Sequence, residues 1–137
     1  PVWRDEFEQE GSHNTPVHEY AERFAARGYA CFSVGDRLTQ EQPAPLLHPI
    51  KRVRHAVERE RIDYVRGLLG LPPASTEELL RGSEAALADV AAAFAFIHAH
   101  AARWGIDRDR MAIGGFSAGA FASAYAVFAL GQPAAAL

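Results

Sequence analysis

The chain has 137 residues, 49% hydrophobic and 23% charged, with 14 basic and 17 acidic side chains and a net charge of −3. That composition suits one globular domain with a real hydrophobic core. No basic block and no interleaving of aromatic with basic residues is present, which argues against nucleic acid as a partner. Cys31 is the single cysteine, so an intrachain disulfide is excluded, and its thiol reads as a buried core group.

Thr15-Pro16 has the form of a helix start, an N-cap followed by proline at the first helical position. Val17, Tyr20, Ala21, Phe24 and Ala25 then fall on one helical face, and Gly28 is the expected stop. The next run, YACFSV (Tyr29–Val34), lacks polar alternation and predicts a strand buried on both faces. Residues 35–48, with Pro43 and Pro45, read as a loop. From Ile50 to Leu71 the chain is heavily charged around narrow apolar stripes, which predicts one or two surface helices with a solvated charged face, ended by Gly70 and Pro72-Pro73.

Ser75 and Glu78 have capping-box spacing and open a further helix. Gly82-Ser83 is a place where that helix is expected to kink or restart. Leu87, Val90, Phe94, Ile97, Ala101 and Trp104 repeat at steps of three and four, the pattern of an amphipathic helix packed on a sheet, with Gly105 as its end. Polar residues Asp107–Arg110 lead into a second buried strand, Met111–Gly114. The Ala-rich stretch after Gly119 predicts a buried helix ended by Gly131-Gln132-Pro133, and Ala134–Leu137 has the character of a third strand. This order of elements predicts an α/β fold, a three-layer parallel sheet flanked by helices.

Residues 111–119, MAIGGFSAG, carry the chemistry. From Met111 to Leu137 no residue is charged, and Gly115 with Gly119 has the small-xxx-small spacing of paired membrane helices. The interruptions at Gly114-Gly115, Ser117, Ser123 and Gln132-Pro133 argue against a membrane span. A second reading makes Ser117 a mere cap on a glycine-rich turn. The third is a nucleophile elbow: Gly115, Ser117 and Gly119 fit G-x-S-x-G, set between a strand and a helix as that motif requires. In such a turn the serine hydroxyl is pushed out above the sheet by a strained backbone, and glycines two before and two after avoid neighbouring strand and helix. The backbone N–H of Ala118, at the start of the new helix, would be an oxyanion donor.

The stretch GIDRDRMAIGGFSAGA (Gly105–Ala120) resembles the α/β-hydrolase carboxylesterases, especially the bacterial esterase and hormone-sensitive-lipase-like group. VGDRLTQEQP (Val34–Pro43) is similar to that group's V-D-Y-R-L-A-P-E-x-P segment at Arg37, Leu38, Glu41 and Pro43, and departs from it at Gly35, Asp36 and Gln40. Phe7 and Gly11-Ser12 resemble the end of the group's H-G-G-G-F…G-S oxyanion segment, although Trp3-Arg4-Asp5-Glu6 stands where its glycines would be. The resemblance implies an α/β-hydrolase fold, incomplete in this chain, with a charged helical insertion at about 48–82 as a cap. It further implies a serine-dependent carboxylic-ester hydrolase acting on small-molecule esters through an acyl-enzyme, with no metal and no organic cofactor.

In this fold the triad order is serine, acid, histidine, yet residues 118–137 contain no Asp, Glu or His. The acid and base are therefore expected beyond residue 137, in a chain whose N-terminus also reads as truncated. The upstream histidines, His13, His18, His48, His55, His98 and His100, are expected to be structural or solvent-exposed. The alternative function is a truncated or degenerate hydrolase fold kept as a non-catalytic interaction module. Compartment stays open, with the cytoplasm favoured, and so does oligomeric state.

Overall fold

In a computed structural model of the chain, the structure describes residues 17–44 and 59–136. The Trp3–Glu6, Phe7, Gly11-Ser12 and Thr15-Pro16 readings, and the histidines at 13, 48 and 55, lie outside the described residues. The elements are α1 (Val17–Ala25), a 3-10 turn (Thr39–Glu41), α2 (Arg59–Leu68), α3 (Thr76–Trp104), β1 (Ala112–Ile113), α4 (Ala118–Phe128) and β2 (Ala135–Ala136).

The two strands pair in parallel, Ala112 opposite Ala135 and Ile113 opposite Ala136, with Ala135 N–H donating to Met111 O at 3.0 Å. A parallel pair needs a crossover, and α4 supplies it. The long helix α3 packs against α4. Leu87 and Ala122 form the centre of that contact, with Leu80, Val90 and Tyr125 packed around them. The helical stripe read from the sequence is partly realised: Leu87, Phe94 and Ala101 are buried, whereas Trp104 is exposed. α3 includes a stretch long and apolar enough, by length and composition, to cross a bilayer. A core helix shielded along one face has the same composition.

The start of α3 follows the capping box. Glu78 N–H donates to Ser75 Oγ at 3.1 Å, and Ser75 N–H donates to Glu78 Oε2 at 2.7 Å. The bond from the Ser75 backbone, and then the one with its side chain, hold the Glu78 carboxyl below its usual range. The helix ends at Gly105, whose φ of 68° lets its N–H turn back to Ala101 and Ala102. No kink or restart occurs at Gly82-Ser83. A Cβ at Gly82 would collide with Thr39 Oγ1, so this glycine lets the 3-10 turn lie against α3. Ser83 Oγ donates to Leu79 O at 2.8 Å within the same helix, which leaves it uninterrupted.

A charge pair ties the 35–43 segment to that helix. Arg37 gives Asp89 three kinds of donor: backbone N–H (2.8 Å to Oδ2), Nε (3.0 and 3.1 Å) and Nη2 (2.8 Å to Oδ1). Burial pushes the Asp89 carboxyl up, but the Arg37 bonds and charge together outweigh it and hold the group below its ordinary value. The Glu41 carboxylate accepts from Leu38 N–H and closes the 3-10 turn.

Four further expectations are corrected. Tyr29–Val34 forms no strand: Tyr29 is 60% exposed and Phe32 47%, and among the described residues no ladder bond reaches this run. An apolar run becomes a strand only where an edge with free backbone groups lies beside it. Cys31, on the same run, is exposed for the same reason. α4 is buried along one side only, through Ala122, Ser123 and Ala126, while Phe121 and Phe128 face outward. The charged face of α2 also has an exception, since Arg66 is buried and its Nε donates to Pro72 O at 2.8 Å. With Arg59 donating to Ala74 O (2.9 Å) and Thr76 Oγ1 (2.6 Å), it holds the α2–α3 connection closed.

Candidate active site

Between β1 and α4 the chain turns within Gly114–Ser117. Two non-glycine residues among those described have positive φ, Gln42 and Ser117. Ser117 has φ 52° and ψ −114°, outside the regions open to side-chain-bearing residues. A residue held there costs about 1–3 kcal/mol, so its surroundings must enforce the conformation. The strained backbone expected of an elbow serine is present.

The enforcing contacts are local. Gly119 N–H donates to Phe116 O at 2.9 Å, and Phe121 N–H donates to Ser117 O at 3.1 Å. These bonds wind the first turn of α4 directly onto the strained residue. A Cβ on Gly115 would lie 2.7 Å from Gly119 C and 2.8 Å from its Cα. That is backbone against backbone, so no side chain can swing aside, and Gly115 is required by space. Gly119 is different, because a Cβ built there meets nothing within 4 Å among the described residues. The expected collision at that second glycine is not found.

The Ser117 side chain makes no capping bond to α4, and the residue is exposed. The structure therefore gives no support to the reading of Ser117 as a hydrogen-bonded helix cap. Ala118 is the first residue of α4, so its N–H has no intrahelical acceptor and points out of the helix N-terminus. The positive end of the helix dipole lies at the same place. A serine oxygen and a backbone donor with no acceptor in its own helix thus sit next to each other at the end of a β-strand.

Aromatic residues stand on both sides of the turn along the chain. Phe116, immediately before the serine, is 65% exposed and lies 5.3 Å, centroid to centroid, from Tyr20 on α1. On α4, Phe121 and Tyr125 are 6.2 Å apart.

The described histidines are engaged elsewhere. His100 Nδ1 lies 2.8 Å from Phe96 O, with its ring stacked on Trp104 at 5.3 Å, and His98 stacks on Phe94 at 6.4 Å. The His18 side chain lies outside the described part. Among the described residues no group of three or more His, Cys, Asp and Glu is arranged to hold a metal ion. A shallow hollow among the described residues is lined by Arg108–Met111 and Pro133–Ala135. These residues stand at the N-terminal ends of β1 and β2, away from Ser117 at the C-terminal end, so this hollow is not part of the serine site.

Comparison with known families adds one finding. The family model BD-FAE matches residues 81–132, from the second turn of α3 through β1, the Ser117 turn and α4. That family belongs to the esterase-like α/β-hydrolase clan. The matched segment is hydrolase-like. Its start at Arg81 leaves α1, α2 and the first turn of α3 outside the match. No curated protein and no solved structure is significantly similar to the chain.

Sequence reasoning missed two features of this region. One is the Arg37–Asp89 clamp, whose partners are 52 positions apart and carry no local signal. The other is the Tyr20–Phe116 contact, for which the helical face shared by Tyr20 and Phe24 was the available clue.

Proposed function

We propose that the chain carries part of an α/β-hydrolase fold and that its activity is serine-dependent hydrolysis of carboxylic esters. The observation that supports this reading most is the Ser117 turn: a non-glycine residue at φ 52°, exposed, uncapped, between a strand and a helix, with Gly115 pressed against Gly119. A turn serving only to connect two elements has no need of that strain, and a glycine at 117 would relieve it. The BD-FAE match over the same segment supports the reading at the level of the clan.

In this mechanism Ser117 Oγ attacks the ester carbonyl, the alkoxy group leaves, and water later cleaves the acyl-enzyme. The Ala118 N–H, with the α4 dipole behind it, stabilises the negative charge that develops on the carbonyl oxygen. Gly115 lets the turn close and keeps the hydroxyl presented, and Gly119 belongs to the same elbow. The serine proton needs a base within hydrogen-bond reach, and neither His98 nor His100 takes that role, since both are stacked along α3. The substrate class is a small-molecule ester, with no cofactor. The charged segment at about 48–82, whose described part is α2 and the start of α3, is proposed as a cap.

The test is hydrolysis of short-chain aryl esters by the full-length protein and by Ser117→Ala. The reading expects nearly all turnover to be lost with folding unchanged. Equal turnover in the two proteins would make Ser117 a turn residue and favour the non-catalytic interaction module.

A further inference from the structure

The strain at Ser117 has to be held from both sides of the residue. On its C-terminal side the first turn of α4 does this, through Phe121 N–H to Ser117 O. On its N-terminal side stands Phe116, and the orientation of the Phe116–Ser117 peptide sets the φ of the serine. Phe116 O is fixed by Gly119 N–H at 2.9 Å. Its side chain is mostly in water, and among the described residues its ring meets Tyr20, at 5.3 Å and an interplanar angle of 42°. This geometry lies within the range of favourable tilted aromatic pairs.

Tyr20 sits in the middle of α1. The end of that helix is secured by Gly28 at φ 87°, by Tyr29 N–H donating to Phe24 O at 3.2 Å, and by the Phe24–Tyr29 ring contact at 5.6 Å. The ring that meets Phe116 is therefore carried by a capped helix.

We propose that Tyr20 is a positioning residue: through its ring contact with Phe116 it holds the turn in the conformation that presents Ser117. The catalytic part of this statement rests on the reading of Ser117 as a nucleophile; the conformational part does not. The contact belongs to the ring, since the phenol hydroxyl is not part of the stacking surface. Tyr20→Phe therefore keeps the function and Tyr20→Ala removes it.

The experiment uses the full-length protein as wild type, Tyr20→Ala, Tyr20→Phe, Phe116→Ala and the Tyr20→Ala/Phe116→Ala double variant, with circular dichroism to establish folding. Two quantities are read: the second-order rate of fluorophosphonate labelling at Ser117, and the Ser117 Cα and Cβ chemical shifts, which report its backbone angles. Tyr20→Ala is expected to slow labelling about three- to tenfold, the worth of one aromatic pair, and to move the Ser117 shifts towards ordinary backbone values. Tyr20→Phe should stay within about twofold of wild type. The double variant should label no more slowly than Phe116→Ala alone, because the two changes remove one interaction.

Unchanged Ser117 shifts in a folded Tyr20→Ala protein would overturn the proposal, as would a Tyr20→Phe protein as slow as Tyr20→Ala. If wild type takes up no label but Tyr20→Ala still moves the Ser117 shifts, the positioning role stands and the hydrolase reading falls. If Tyr20→Ala fails to fold, Phe116→Ala gives the decision: unmoved Ser117 shifts there would overturn the proposal.

Discussion

Met111–Gly114 and Tyr29–Val34 read alike as short apolar runs after a helix, yet they end in different states. The first contributes β1, because Ala135–Ala136 returns beside it by way of α4 and gives it a parallel partner. The second has the composition of a buried strand but remains exposed, with Tyr29, Phe32 and Val34 all open to solvent. Apolarity states that a segment is costly to leave in water; pairing depends on a second backbone, supplied by any part of the chain that folds back beside it. The turn at Ser117 depends on far less. Its hydrogen bonds and closest contacts lie within seven residues, a glycine with no room for a Cβ and the first bonds of a helix, and the one remote contact proposed to hold it is Tyr20 on Phe116.

This contrast between locally fixed and remotely fixed structure can be broken by substitution. The largest effect expected is at Ser117→Ala, which should reduce ester turnover by about a million-fold, as for the nucleophile of other serine hydrolases. Steady-state assays on aryl esters check it, and thermal unfolding should shift little.

Next come the two elbow glycines, which the structure separates. Gly115→Ala puts a Cβ within 2.7 Å of the Gly119 backbone. It should cost about 1–3 kcal/mol, by analogy with overpacked cores, and disturb the Ser117 turn. Gly119→Ala meets open space in the first turn of α4, and should be neutral or stabilising by up to about 1 kcal/mol, since alanine favours helix over glycine. Denaturant unfolding of both variants reads the difference, and equal destabilisation would mean that Gly119 also faces a close neighbour.

Asp89→Asn gives a smaller change with a definite pH signature. The Asp89 carboxyl is held below its ordinary value of 3.8, so its contribution to stability is present above that value. It is lost as pH falls through the lower folded value. Arg37 is about half exposed, and solvent screening limits the clamp to about 1 kcal/mol despite its bidentate geometry. Stability of wild type and Asp89→Asn should therefore differ at neutral pH and converge in acid. A constant gap down to low pH would show that charge is not what the clamp supplies.

Ser75→Ala should cost about 1 kcal/mol by removing the acceptor for Glu78 N–H. The same unfolding series measures it, and no loss would mean that water replaces the cap.

Legibility in the sequence followed the same division. Helix ends were readable because caps are local: the Ser75–Glu78 box and the stops at Gly28, Gly70 and Gly105 all have the expected form. The strained serine was readable because G-x-S-x-G between an apolar run and a helix leaves few alternatives. Gly82 was misread as a helix break, since the sequence does not show that Thr39 needs that space. Cys31 was misread as buried for the reason that its whole run was. The Arg37–Asp89 clamp was invisible, being a contact between distant positions. Gly119 fits the motif, although the described neighbours leave its Cβ site empty.

The central claim is that Ser117 is a nucleophile, and covalent mapping tests it most directly. The full-length protein is treated with a fluorophosphonate, digested, and its peptides are sequenced by mass spectrometry. The account predicts a single phosphonyl adduct, on Ser117, absent from Ser117→Ala. An unlabelled protein, or an adduct on a different residue that persists in Ser117→Ala, would contradict it.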